Sequence, residues 1–218
     1  MTLRLVNPSP VVVRLAAKLA ALGHILTRTP DAAPLTWVLG ADDDPPAMRA
    51  SGSGAGDRIL LLSWIGAHPD ARAQVLRRLW ALEEACRATA LPALTLRLGP
   101  LAGPDSPLWR KLAHSKPAPR LARKLVHPVL ESQVVEVIDR ALRGACAWNG
   151  WQEIGGADIM SLGECATLAR GARLTGAGEW EPDLEALAEQ RLIEPAVWAR
   201  WSGIEPRPVA TETGRWAA

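Results

Sequence analysis

Between Leu3 and Gly23 the chain sets out a strand, a helix start and a helix stop in succession. Leu3 to Val6 is a short apolar run suited to a buried strand. Ser9 offers a capping hydroxyl. Pro10 suits the first helical position, where its missing N–H costs nothing, and Gly23 suits the residue just past the end. Between them Val12, Val13, Leu15, Ala16, Leu19, Ala20 and Leu22 recur at helical spacing. A strand feeding a helix through a short turn is the opening unit of an α/β fold with a parallel sheet.

The pattern continues along the chain. Strands are expected at Ile25–Thr27, Leu35–Leu39, Arg58–Ser63, Ala93–Leu98 and Trp151–Ile154. Pro69 and Asp70 start a long helix to about Ala88, with Val75, Leu79, Leu82 and Cys86 on one face. Further helices are expected at 107–116, 131–143, 182–191 and 195–201. A βαβ crossover needs about a dozen residues, and Arg28 to Pro34 is too short for one. The fold expected is therefore a Rossmann-like parallel sheet with flanking helices, shortened after its second strand. It spans 1–170, with a flexible acidic and Gly/Ser-rich loop at 41–57, a small helical lobe at 171–204 and a loose tail at 205–218.

Composition narrows the function classes. A chain of 218 residues, 48% hydrophobic with a formal charge of +2, suits an ordinary soluble globule. Ten Trp residues and no Phe or Tyr mean that Trp supplies the large aromatic packing. Cys86, Cys146 and Cys165 are far apart and odd in number, which suits free thiols in a reducing cytoplasm. No signal peptide or membrane span is read from the sequence. His24, His68, His114 and His127 lack metal-ligand spacing, so no metal site is expected.

A dinucleotide site needs backbone N–H groups aimed at the pyrophosphate and glycines that allow close approach. The turn here, Val6-Asn7-Pro8-Ser9-Pro10-Val11, has no glycine, and two prolines remove donors. Ser9 could still meet an anion, and Arg28 is the candidate for the ribose end. No cofactor is expected from this turn.

Several phrases in order resemble the atypical short-chain dehydrogenase/reductase family, including its NmrA-like and NAD-dependent-epimerase-like members. They are Leu-Leu-Leu-Ser-Trp-Ile-Gly-Ala-His-Pro (60–69), Glu-Glu-Ala-Cys (83–86), Leu-Thr-Leu-Arg-Leu-Gly-Pro (94–100), Val-His-Pro-Val (126–129), Ile-Gly-Gly (154–156) and Leu-Gly-Glu (162–164). The resemblance implies NAD or NADP as cofactor, and a serine with a Tyr-x-x-x-Lys pair for proton transfer. Ser63 matches the serine. Setting Glu83-Glu84-Ala85 against the family's Glu-rich phrase places Val75 at the tyrosine and Leu79 at the lysine. Both are apolar, so the resemblance implies a degenerate member with no catalytic set beyond Ser63.

Other residues are candidates for contact with a ligand or partner. His68 follows the Ser63 strand, where open α/β sheets place ligands. Arg97 matches the family's Leu-Arg-Pro-Gly phrase, where it fixes neighbouring structure. Residues 106–130 carry Arg110, Lys111, Lys116, Arg120, Arg123 and Lys124 without an acid, as either a solvated flank or a docking face. The leading expectation is a binding or accessory subunit of a protein complex, with a second copy or a larger partner. The alternative is an NAD(P)-dependent reductase or isomerase of non-standard mechanism. A third reading, an RNA- or membrane-surface-associated protein, rests on 106–130 alone, and nucleic acid is not expected because no recognition module accompanies that segment.

Overall fold

The computed structural model describes residues 1–5, 8–27, 35–40, 56–175 and 184–216, the side chains of residues 214 and 215 excepted. The chain forms two compact units, residues 1–97 with 137–152, and residues 98–136 with 153–218. These boundaries differ from the expected break at residue 170. The second unit takes its first helices from the middle of the sequence.

The first unit is built on a six-stranded sheet. Its strands are β1 (Thr2–Leu5), β2 (Ile25–Thr27), β3 (Leu35–Leu39), β4 (Arg58–Trp64), β5 (Ala93–Leu98) and β9 (Trp151–Ile154), in the order β2-β1-β3-β4-β5-β9. β1 runs parallel to both neighbours, with Leu3 opposite Leu26 on one side and Thr36 on the other. β3 runs parallel to β4, with Val38 opposite Leu60. The usual doubly wound order is 3-2-1-4-5-6. The strand after β2 here lies on the far side of β1, and among the described residues no strand pairs beyond β2.

Helix α1 (Pro10–Ala21) is capped as the sequence predicts. The Ser9 hydroxyl accepts from the Val12 N–H at 3.4 Å, and Val12, Leu15, Ala16 and Leu19 are buried. Gly23 ends it with φ +89°, a conformation that other residues rarely adopt. Helix α2 (Gln74–Arg87) begins later than expected, because residues 69–73 form turns and Ala73 supplies no capping side chain. Arg77 compensates by donating Nη1 to the Ala71 and Arg72 carbonyls, each at 2.6 Å. The buried face of α2 is Leu76, Leu79, Leu82, Glu83 and Cys86, and the expected Val75 is only half-buried.

Asp57, expected in a flexible loop, is buried instead. Its carboxylate accepts the Leu35 N–H at 2.9 Å and the Trp37 indole N–H at 3.4 Å. The rest of that loop, 41–55, lies outside the described residues, as does Arg28.

The second unit is mainly helical: α3 (Pro107–His114), α4 (Pro119–Ala122), α6 (Leu162–Gly171), α7 (Leu184–Ala188), α8 (Pro195–Ser202) and α9 (Val209–Trp216). α5 (Glu131–Leu142) divides between the units at residue 136. Two short ladders accompany the helices, β6 (Leu101–Ala102) with β8 (Val129–Leu130), and β7 (Leu125–Val126) with β10 (Met160–Ser161). Trp109, Leu112, Leu162, Cys165, Ala169, Leu187 and Val209 share one apolar core. The segment from 205, expected to be loose, is tied down. Val209 is buried and its N–H donates to Asp158 at 2.8 Å, while the Arg207 N–H donates to Gln133 at 3.0 Å.

Candidate functional site

Ser63 is the penultimate residue of β4, and its side chain turns into the protein. The hydroxyl donates to Glu83 Oε1 at 2.6 Å, and Glu83 projects inward from α2. Arg97 on β5 grips the same carboxylate with Nε at 3.0 Å from Oε1 and Nη2 at 2.6 Å from Oε2. All three residues are buried. Two-point contact between a guanidinium and a carboxylate is among the stronger ion pairs. It satisfies the burial cost that a lone carboxylate would incur. The network therefore engages the serine proton with a carboxylate that Arg97 also holds.

Leu79 occupies the position matched to the family's lysine, and its exposure is 0%. It faces into the core, and the chain holds no tyrosine to work beside it.

A surface cluster borders this network. The Trp80 ring lies 5.6 Å from the Arg97 guanidinium, and Trp151 lies 5.2 Å from it. The exposed His68 packs its ring 5.7 Å from Trp80, and its Nδ1 accepts the Asp70 N–H at 3.2 Å. Ser63, Arg97 and His68 are thus joined through Glu83 and Trp80, neither of which is a site candidate from the sequence. Glu83 had a signal: it stands on the buried face of α2, between Leu79 and Leu82 on one side and Cys86 on the other.

The second candidate location is the topological switch point between β1 and β3, where doubly wound sheets bind ligands. Gly40 follows β3 there. A Cβ at this glycine would lie 2.7 Å from Val12 Cγ2 and 2.9 Å from Ser9 Oγ. The start of α1 thus packs directly on the end of β3. Pro8 and Pro10 have no N–H, the Val12 N–H goes to Ser9 Oγ, and the Val13 N–H goes to the Ser9 carbonyl at 3.0 Å. Only the Ser9 and Val11 N–H groups remain along 8–13. That donor set does not fit a pyrophosphate, which needs several converging N–H groups and glycine-wide clearance.

The basic segment lies in the second unit. Arg120 is exposed and pairs with Glu185 at 2.6 Å. Arg123 is exposed, and Arg110, Lys111 and Lys124 are half-buried. The acid-free stretch in sequence is therefore partly neutralised in space by α7. Among the described residues, no helix is long and apolar enough to cross a membrane.

No protein-family model matches the chain, and no curated protein matches it in sequence. Solved structures do match. The Bordetella bronchiseptica enzyme WbmG, in complex with NAD and UDP, is similar at TM-score 0.62 and 14% identity, over 99% of this chain and 94% of that one. RMD from Pseudomonas aeruginosa, complexed with NADPH, is similar at TM-score 0.63 and 15% identity, over 99% and 97%. UDP-N-acetylglucosamine 4-epimerase from Bacillus cereus is similar at TM-score 0.61 and 11% identity, over 100% and 95%. The chain has the Rossmann-like fold of the extended, NAD-dependent-epimerase-like short-chain dehydrogenase/reductases.

Proposed function

We propose that this protein is a binding protein built on the fold of the NAD(P)-dependent epimerases and reductases, and that it acts within a protein complex. The observation that carries the reading is the start of α1. It keeps two uncommitted N–H donors and packs Ser9 and Val12 against Gly40. The inward-turned Ser63 and the buried Leu79 agree with it, because neither can serve proton transfer to a ligand.

The structural neighbours favour a second reading over the accessory role. Enzymes solved with NAD or NADPH share the fold along nearly the whole chain. On that reading the protein is an NAD(P)-dependent reductase or isomerase of non-standard mechanism. It must then draw its phosphate donors from outside residues 8–13 and its proton donor from outside the Ser63 network.

Titration calorimetry with NAD+, NADH, NADP+ and NADPH separates the two. Binding at about 1 μM corresponds to about 8 kcal/mol, which requires true pyrophosphate contacts. Dissociation constants in that range would overturn the absence of a dinucleotide site on which the first reading rests and favour the reductase one. Dissociation constants weaker than about 1 mM for all four would support the first reading. Co-purification from native cells then identifies the partner by mass spectrometry.

A further inference from the structure

Strand β1 lies between two parallel neighbours, where both faces of a sheet are ordinarily apolar and covered. One of its faces departs from this. Arg4 stands opposite Trp37 on β3 and Thr27 on β2, so the three side chains share a face. Thr2, two residues back, is on the same side. Toward β4 that face is closed by α2, whose Leu82 and Cys86 share one apolar cluster with Trp37 and Ile59. Toward β2 it turns polar and opens. Thr2, Arg4 and Thr27 are half-buried, and Ile25 is 63% exposed.

The Arg4 guanidinium lies over the Trp37 ring, 4.1 Å from its centre, close enough for the ring face to hold the cation. The Trp37 indole N–H is engaged by Asp57, so the ring itself is fixed. Nε and Nη1 of Arg4 are closed off from solvent, and neither has a hydrogen-bond partner. Nη2 has none either, and it is the nitrogen that solvent reaches. Arg58 on β4 and Arg97 on β5 are satisfied by contrast, the first by Thr36 and Leu142 and the second by Glu83. Buried donors are costly without an acceptor, and most in folded proteins have one.

We propose that Arg4 anchors a binding site for an oxyanion, the carboxylate or phosphate group of a small ligand. A guanidinium has two edges, Nε–Nη2 and Nη1–Nη2, and each can grip two oxygens in parallel. An oxyanion that enters at Nη2 meets a buried donor along either edge. The half-buried setting strengthens that contact, because the local dielectric is lower than in water. Stacking on Trp37 holds the guanidinium in place before the ligand arrives. The site is distinct from the turn at residues 8–13, and it does not depend on which cofactor reading holds.

Proton–nitrogen spectra of the arginine Nε–H groups test this on the full chain. Acetate and inorganic phosphate serve as separate probes, with ionic strength held constant by chloride. The Arg4 signal, assigned from its loss in Arg4→Gln and in Arg4→Lys, should move saturably with at least one probe, with a dissociation constant of about 10 mM or below. The probe that binds more tightly identifies the recognised group as carboxylate or phosphate. The Arg58 and Arg97 signals should stay in place, because their donors are already taken. The same probe should raise the melting temperature of the parent and leave that of Arg4→Gln unchanged. Arg4→Lys keeps the charge and loses the fork, so it should bind about tenfold more weakly. Amide spectra check that both variants are folded. An Arg4 signal that stays in place, or drifts without saturating, up to about 50 mM of both probes overturns the proposal. So does a folded Arg4→Gln that the probe stabilises as much as the parent.

Discussion

Arg97 holds Glu83 by two nitrogens, and Ser63 adds a third hydrogen bond to the same carboxylate. The three side chains tie β4, α2 and β5 together inside the first unit. Removing one member of a buried ion pair strands the other, which costs about 3–5 kcal/mol. Arg97→Ala and Glu83→Ala should each destabilise by that amount in urea unfolding. Ser63→Ala should cost about 1.5–3 kcal/mol, the net worth of one hydrogen bond to a charged group. If Ser63→Ala abolishes biological function while its unfolding curve stays near the parent's, the serine has a chemical role.

Restoring the lysine of the Tyr–Lys pair should fail. Leu79 is fully buried among apolar neighbours of the sheet-facing side of α2. Leu79→Lys places an ammonium there, one turn from a Glu83 carboxylate that Arg97 and Ser63 already hold, so the variant should lose about 3 kcal/mol or more. Adding Val75→Tyr should not recover it. A Leu79→Lys variant as stable as the parent would mean that this face opens to a cleft.

Gly40→Ala probes the switch point. The new methyl would meet Val12 Cγ2 and Ser9 Oγ well inside van der Waals distance. Overpacking of this kind costs about 1–3 kcal/mol. Val12→Ala should relieve part of it in the double variant. If Gly40→Ala melts like the parent, the start of α1 is free to move away from β3, and the space for a phosphate ligand is larger than described above.

The parallel sheet was legible because its signals are local. Strands at Ile25–Thr27, Leu35–Leu39 and Ala93–Leu98 form where β-branched and leucine-rich runs sit between turn residues. Helix α1 forms where Ser9, Pro10 and Gly23 frame it. What escaped depends on distant partners. Helix α9 is short and carries only Val209 and Trp216 as large apolar residues, and its first N–H is met by Asp158, 51 residues earlier in the chain. Glu83 enters the sequence only as part of the Glu-Glu-Ala phrase, and its partner Arg97 lies 14 residues on, on another strand. Helix α6 could have been found, because Ser161 and Glu164 form a capping box visible in the sequence. The absence of tyrosine can be read off the sequence directly, whereas the hydrogen-bond network around Glu83 cannot.

The thiols should differ in reactivity. Cys165 is buried, and burial, with the Glu164 and Asp158 carboxylates adding to it, pushes its pKa up to about 12. The thiolate is the reactive species, so Cys165 should be inert near neutral pH. Cys146 is half-buried and its pKa is also raised by burial, though Arg140 opposes this. Under native conditions, mass-resolved alkylation should label Cys146 first and Cys165 only on unfolding. Prompt labelling of Cys165 would show that the core of the second unit opens readily.

His24 and Asp139 form the acid-sensitive contact of the first unit. His24 Nε2 lies 2.8 Å from Asp139 Oδ1, and Arg143 Nε lies 2.8 Å from the same oxygen and 3.0 Å from Oδ2. Arg143 also donates to the Leu22 carbonyl at 3.2 Å, so the three side chains fasten the turn after α1 to the end of α5. Burial pushes the Asp139 carboxyl up, but hydrogen bonds from His24 and Arg143, reinforced by their charge, outweigh it and hold the carboxyl below its ordinary range. A folded pKa lying under the unfolded value of about 3.9 means that the unfolded chain takes up the proton first. The contact therefore contributes its full stability above about pH 4 to 5, and loses it as pH falls through the folded pKa. Denaturant midpoints measured from about pH 7 down to about pH 2.5 should drop for the parent in this lower window. Asp139→Asn should be less stable than the parent near neutral pH, and the gap should close as the pH falls. A gap that stays constant across the range would show that the Asp139 charge contributes nothing and that the variant loses only packing.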